Sequence, residues 1–269
     1  MNESYRNFFG LKREPFTSDI SLGEILETQQ LLAVKERFDY AVRLGAAALV
    51  TGDIGSGKST ALRYAIGKLH PSEYRSLYVT ATSGSILELY RQILSELGTD
   101  TASSSRAVLK RGIRREIKTL VVDRKMKAVL IIDEASLLEL KVFDELHTLS
   151  QFEMDSKPYL PIILAGQSNL VDKLMYRGAK PLASRVVGRS HLEGVDRGGM
   201  EDYLNHHVAI SGLKKKIFDP PAITAIHQGA GGLFRKANHL ARGALIAATA
   251  NQSVTVTAEH VRLASSEIF

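Results

Sequence analysis

Glycine, lysine and serine meet once in this chain in a spacing suited to phosphate, at GDIGSGKS over residues 52–59. A loop that wraps a phosphate needs glycines where the backbone turns through positive φ and approaches the anion closely. It also needs a lysine for the β- and γ-phosphates and a hydroxyl for magnesium. Gly52, Gly55, Gly57, Lys58 and Ser59 supply these types, and Asp53, Ile54, Ser56 and Thr60 complete the candidate nucleotide-binding stretch. A chance glycine-rich turn is the plain alternative, but here an apolar run precedes the loop and a helical pattern follows it. ATP with Mg2+ is the expected ligand.

A second constellation follows at VLIIDEAS from Val129, where four apolar residues deliver two adjacent carboxylates at a strand end. Asp133 is expected to hold magnesium through water, with Ser59, and Glu134 to polarise the attacking water as general base. Gln167, just past the apolar run PIILAG, stands where it could touch the γ-phosphate or the lytic water; a turn-forming polar residue is the alternative. Arg185 and Arg189 sit in and beside a strand-like run. Arg185 is the expected arginine finger, reaching a neighbouring subunit's nucleotide to supply the positive charge that phosphoryl transfer needs. Arg235 begins a helix after a glycine pair, where arginine is ordinarily just solvated.

The elements that must position these residues alternate. Short apolar runs near residues 46–52, 76–81, 127–134, 160–167 and 186–192 read as strands, separated by helical patterns at 58–69, 85–97, 106–122 and 137–152. Alternation of this kind implies a parallel sheet with helices on both faces. A helix is also expected over residues 24–43, preceded by an irregular aromatic arm. After about residue 195 the strand signals stop, and helices are expected at 199–211, 220–229, 233–250 and 257–265. The expected domains are thus 1–195, an αβα nucleotide-binding domain with its arm, and 196–269, a small helical lid.

The ordered set of loop, Asp-Glu strand end, polar strand tip, SRVVGR and GGLFRKANHL resembles the AAA+ ATPases over nearly the whole chain. That resemblance implies an α/β fold, a P-loop NTPase with a five-stranded parallel sheet sandwiched by helices, plus a C-terminal helical lid domain. It further implies that Gln167 is sensor 1, Arg185 the finger and Arg235 sensor 2. YRNFFGLKREPF, LAGQSN and GGLFRKANHLARGAL resemble the ExeA-like group, which includes ATPases of transposable elements related to TniB, TnsC and MuB. In such proteins the amino-terminal arm lies near the adenine, which would place Phe16 in that wall.

Charge bears on the partner. The chain of 269 residues has a net charge of +6 and no cysteine, which excludes a disulfide scaffold and a thiol nucleophile. No run reaches the roughly 18 apolar residues of a membrane span, so a soluble cytoplasmic protein without membrane partners is expected. Residues 106–127 are basic, and Lys110, Arg111, Arg114, Arg115 and Lys118 follow helical spacing. A solvated amphipathic face is one reading; contact with the phosphates of double-stranded DNA, without sequence preference, is the other. Lys214, Lys215 and Lys216 form a second cluster. The expectation is an ATP-bound homo-oligomer, ring or helical filament, that binds DNA and regulates a transposase. The alternative is an ExeA-like ATPase assisting secretion-system assembly. The chain ends with its helical domain, whereas ExeA continues into membrane and peptidoglycan-binding segments, and this is read as favouring the first.

Overall fold

The computed structural model describes residues 2–82 and 85–266. By its contacts the chain divides into two units, one of Gln29–Gly52 and Lys58–Leu192, the other of Met1–Thr28, Asp53–Gly57 and Glu193–Phe269.

The first unit is a five-stranded parallel sheet: β1 (Ala47–Gly52), β2 (Tyr74–Thr80), β3 (Lys127–Asp133), β4 (Ile162–Gly166) and β5 (Val186–Leu192), in the order β2-β3-β4-β1-β5. Position in that order explains the sequence pattern. β1 and β4 are buried at every residue and β3 at all but Lys127, because helices cover both faces of central strands. The edge strands β2 and β5 alternate instead, with Leu77 and Val79 inside and Tyr78 and Thr80 on the other face of β2. Helices α2 (Gln29–Leu44), α3 (Lys58–Gly67), α4 (Ile86–Glu96), α5 (Arg106–Lys118), α6 (Leu140–Ser150), α7 (Asn169–Met175) and α8 (Lys180–Ala183) complete the unit. Tyr90, Ile93, Ile113, Ile117, Leu130, Phe143 and Leu164 share its core. The five-stranded parallel sheet with helices on both faces, read from the sequence, is therefore the one observed.

The second unit is helical: α1 (Asn2–Phe9), α9 (Arg197–Ile210), α10 (Pro220–Ala230), α11 (Phe234–Ala250) and α12 (Ala258–Ser265). Asp196 caps α9 through Gly199 N, and Asp219 caps α10 through Ala222 N with Pro220 as its first residue, so two starts carry their own signals. Gly232, with φ of 74°, follows α10; a Cβ there would meet Val195 O at 2.4 Å, which leaves room only for glycine.

Three expectations change. The amino-terminal arm is not irregular but begins with α1, and it groups with the helical unit rather than with the sheet. Its Tyr5, Phe9, Leu11 and Phe16 join Met200, Leu204, Ile226 and Leu245 in one core, because four large apolar side chains gain most by burial together. Phe16 is consequently 1% exposed, stacked on His207 at 5.4 Å and edge-on to Phe218 at 6.0 Å, so its ring lines no adenine wall. Burial, then the neighbouring His206, hold that His207 imidazole down to about 4. Lastly, α2 starts at Gln29 instead of residue 24, since Ser21 and Glu24 close a separate single turn over Leu22–Glu24.

Candidate active site

β1 delivers the chain into the loop Asp53–Gly57, and α3 begins at Lys58. Gly55 and Gly57 have φ of 86° and 100°, the left-handed geometry that the sequence assigned to them. At Gly55 a Cβ would lie 2.6 Å from Arg235 Cβ, and Arg235 N donates to Gly55 O at 3.3 Å. The start of α11 thus rests against the loop, with the Arg235 side chain exposed. Lys58 is 7% exposed and donates to Gly52 O at 2.9 Å; Ser59 is exposed and Thr60 half-buried in the first turn of α3.

Asp133 ends β3 and is 4% exposed. Its Oδ2 accepts from Ser59 Oγ at 2.9 Å and from Tyr78 Oη at 2.8 Å, while Oδ1 accepts from Glu134 N at 2.9 Å. Burial, then the Asp133 carboxylate, push the Tyr78 hydroxyl up to about 12, so it remains a donor at neutral pH. Glu134 has φ of 52° and ψ of 30°, a left-handed conformation costing a non-glycine residue about 1–2 kcal/mol. That turn takes the chain off the sheet immediately after Asp133. Two contacts hold it. Lys173, from α7, donates to Ser136 O at 2.6 Å and Leu138 O at 2.8 Å. Gly166, at the end of β4, lies so close that a Cβ would come 2.8 Å from Ser136 N. Gln167 follows β4, the strand between β3 and β1, and is half-buried.

Arg185 precedes β5, with its side chain 25% exposed. Its guanidinium bonds His147 Nδ1 at 3.1 Å and Asp155 Oδ2 at 2.5 Å. Burial, then the Arg185 charge, keep His147 below the ordinary histidine range, consistent with a ring nitrogen that accepts. Asp155 belongs to a turn in which Glu153, Met154 and Asp155 all have positive φ, 47°, 56° and 67°. Arg189 lies exposed on β5 opposite Leu49.

The fold itself engages four of the five cations expected on DNA. Lys110 bonds Glu145 at 3.3 Å and Thr148 Oγ1 at 2.5 Å, and Lys118 pairs with Glu153 at 3.3 Å. Arg114 lies over the Phe152 ring at 4.4 Å and donates to the Thr148 and Leu149 carbonyls. Arg115 pairs with its neighbour Glu116 at 3.0 Å, and Arg111 is exposed. In the helical unit Lys214, Lys215 and Lys216 are exposed, with Lys216 paired to Glu201 at 3.1 Å.

Sequence reasoning missed Tyr78, Lys173 and Gly166. The alternation of β2 shows that Tyr78 lies off the core face, but nothing local reveals its partner. Lys173 and Gly166 act through contacts distant in sequence, which a single sequence does not display.

Residues 43–174 match the family described as AAA domain. Over 265 residues the chain is 27% identical to general secretion pathway protein A of Aeromonas hydrophila, an alignment covering 98% of this chain and 48% of that protein. The chain thus spans about half the length of that relative. Among solved structures it is similar to Cdc6p of Pyrobaculum aerophilum, with a TM-score of 0.73 at 16% identity, covering 94% of this chain and 70% of that one. ORC1 of Aeropyrum pernix, solved in complex with DNA, gives 0.70 at 18% identity, covering 94% and 68%. Among the described residues no helix is long and apolar enough to cross a membrane. With this sheet order, this loop and two carboxylates at the end of β3, the chain has the fold of the AAA+ P-loop NTPases, matching an AAA domain over residues 43–174.

Proposed function

We propose that this chain is an ATP-hydrolysing AAA+ module of the ExeA-like kind, which assembles when it binds ATP, disassembles on hydrolysis, and assists the building of a secretion apparatus. The hydrolysis rests on one observation: Ser59 and Asp133 meet at 2.9 Å at the head of α3, with Glu134 next in the chain. Magnesium fits this donor set, a hydroxyl and a carboxylate oxygen in contact, with Ser59 holding it and Asp133 holding it through water. When bound, it would supply charge neutralisation on the phosphates. Lys58 and the amides at the start of α3 bind the phosphates, and Gln167 orients the lytic water. Glu134 takes a proton from that water as it attacks the γ-phosphorus and the bond to the ADP oxygen breaks. Arg185 of a neighbouring copy, once it leaves Asp155, stabilises the charge that develops, and Arg235 senses the nucleotide. The load is supported by the similarity to general secretion pathway protein A along 98% of the chain.

The test has two parts. Glu134→Gln should keep ATP and accumulate as an oligomer in sizing experiments with ATP; a variant that turns over normally overturns the assignment of the base. Cells without this protein should fail to export their secreted enzymes, and unaffected export would remove the secretion role.

A second reading, an oligomer that loads onto double-stranded DNA and regulates a transposase, is favoured by the exposed Lys214 and Lys215 and the net charge of +6. ORC1 of Aeropyrum pernix, a structural neighbour, was solved with DNA. Replacing both lysines with Ala should weaken DNA binding alike for all sequences and flatten its salt dependence by about 2 in log–log slope. Absence of any DNA shift at low salt with ATP and magnesium would end this reading.

A further inference from the structure

We infer that Tyr78 is a positioning residue for the magnesium site: its hydroxyl fixes the orientation in which the Asp133 carboxylate would hold the metal. The inference rests on the reading of Asp133 as the carboxylate that holds magnesium.

Asp133 can rotate its carboxylate about the last side-chain bond, and a single donor does not define that rotation. Two donors, one on each oxygen, do. Glu134 N holds Oδ1 at 2.9 Å, and Oδ2 is held by Ser59 Oγ at 2.9 Å and by Tyr78 Oη at 2.8 Å. The Ser59 hydroxyl can offer a lone pair to a cation and still donate its hydrogen to Oδ2, but its position is then shared with the metal. Tyr78 is the donor to Oδ2 that has no such second task. It comes from a different strand, so its grip is independent of the backbone that carries Asp133.

The placement of Tyr78 argues for the hydroxyl rather than for packing. It lies on the edge strand β2 with 40% of its surface exposed, between the core residues Leu77 and Val79. In register Tyr78 faces Ile131 and Thr80 faces Asp133. The tyrosine is thus one alternation back from the carboxylate on the neighbouring strand, a diagonal that a phenol is long enough to span. Partners that orient a ligand in this way typically contribute 10–100-fold to metal affinity.

The experiment uses the full chain in the Glu134→Gln background, so that ATP persists, with Mn2+ as the probe and its bound fraction read by electron paramagnetic resonance. Adding Tyr78→Phe should raise the Mn2+ needed for half-saturation of the ATP complex about tenfold. ATP affinity in EDTA should be unchanged. Asp133→Asn alone should weaken Mn2+, and adding Tyr78→Phe to it should cost little more, because the two act as one unit. Mn2+ binding by Tyr78→Phe as tight as the parent's, or tighter, while Asp133→Asn weakens it, overturns the inference. Loss of metal-free ATP binding in Tyr78→Phe also counts against it, since the hydroxyl would then serve the fold. If Asp133→Asn itself titrates like the parent, the reading of Asp133 as the carboxylate that holds magnesium is what fails.

Discussion

At the end of β3, Asp133 collects a serine hydroxyl, a tyrosine hydroxyl and a backbone amide. Along α5, Glu145 of α6 collects a tyrosine hydroxyl from Tyr90 at 2.9 Å, the Lys110 ammonium at 3.3 Å and the Arg106 guanidinium at 3.2 Å. Both are carboxylates with a tyrosine donor on a neighbouring element. The difference is the charge of the other donors. Hydroxyls and amides orient a carboxylate without neutralising it, so Asp133 keeps a charge suited to a divalent cation. Ammonium and guanidinium groups neutralise as they orient, and Glu145 has its counter-ions already. Polar residues converge at both places, but only the first arrangement is electrostatically suited to take up a metal.

The largest expected break of this contrast is in turnover. Glu134→Gln should lower phosphate release about 10²–10⁴-fold, the range for losing a general base, whereas Glu145→Gln should leave it unchanged. Equal losses in the two variants would mean that both regions belong to one machine. Next comes stability. Glu145→Ala removes the partner of Tyr90, Lys110 and Arg106 and should cost about 1–3 kcal/mol in urea unfolding without changing ATP affinity. A smaller effect follows from pH. Burial alone would raise Glu145, but the Tyr90 hydrogen bond and the Lys110 and Arg106 charges outweigh it and hold this carboxyl below its ordinary value. A carboxyl with a depressed folded pKa contributes stability above its unfolded pKa and loses it as pH falls through the folded one. Stability should therefore decline on acidification below about 4.5, the ordinary range for glutamate, and Glu145→Gln should blunt that decline. The smallest effect is at Arg115, whose side chain is 72% exposed beside Glu116: Arg115→Ala should shift stability by no more than ~0.5 kcal/mol.

The legibility of the chain follows the same division. Central strands such as β3 and β4 announce themselves as apolar runs because both of their faces are covered, and the residues just beyond them are then placed by topology. On the proposed function, loop and strand end are chemically recognisable because their residue types match a local requirement, that of phosphate in one case and of a hard cation in the other. The basic face of α5 was legible as charge but not as paired charge, since Glu145, Glu153 and the Thr148 carbonyl lie 34 or 35 residues further along the chain. The helix α1 was hidden because the partners of Tyr5 and Phe9 lie in α9 to α12, at the other end of the chain. Helices α7 and α8 are too short to impose a period, and Lys173 on α7 is tied to Ser136 and Leu138 by backbone carbonyls, which leave no mark on the sequence.

The close approach at Gly166 sets a limit on how this chain can diverge. A single β-carbon there would collide with the backbone of Ser136, which no change of rotamer can move, and Ser136 lies in the turn that begins at Glu134. In a saturated library of variants, position 166 would join Gly232 in resisting replacement despite carrying no functional group. Position 115 would accept most replacements. A map of tolerated substitutions would thus mark the β4 end and its neighbouring turn as one inheritable unit, with the surrounding surface free to drift.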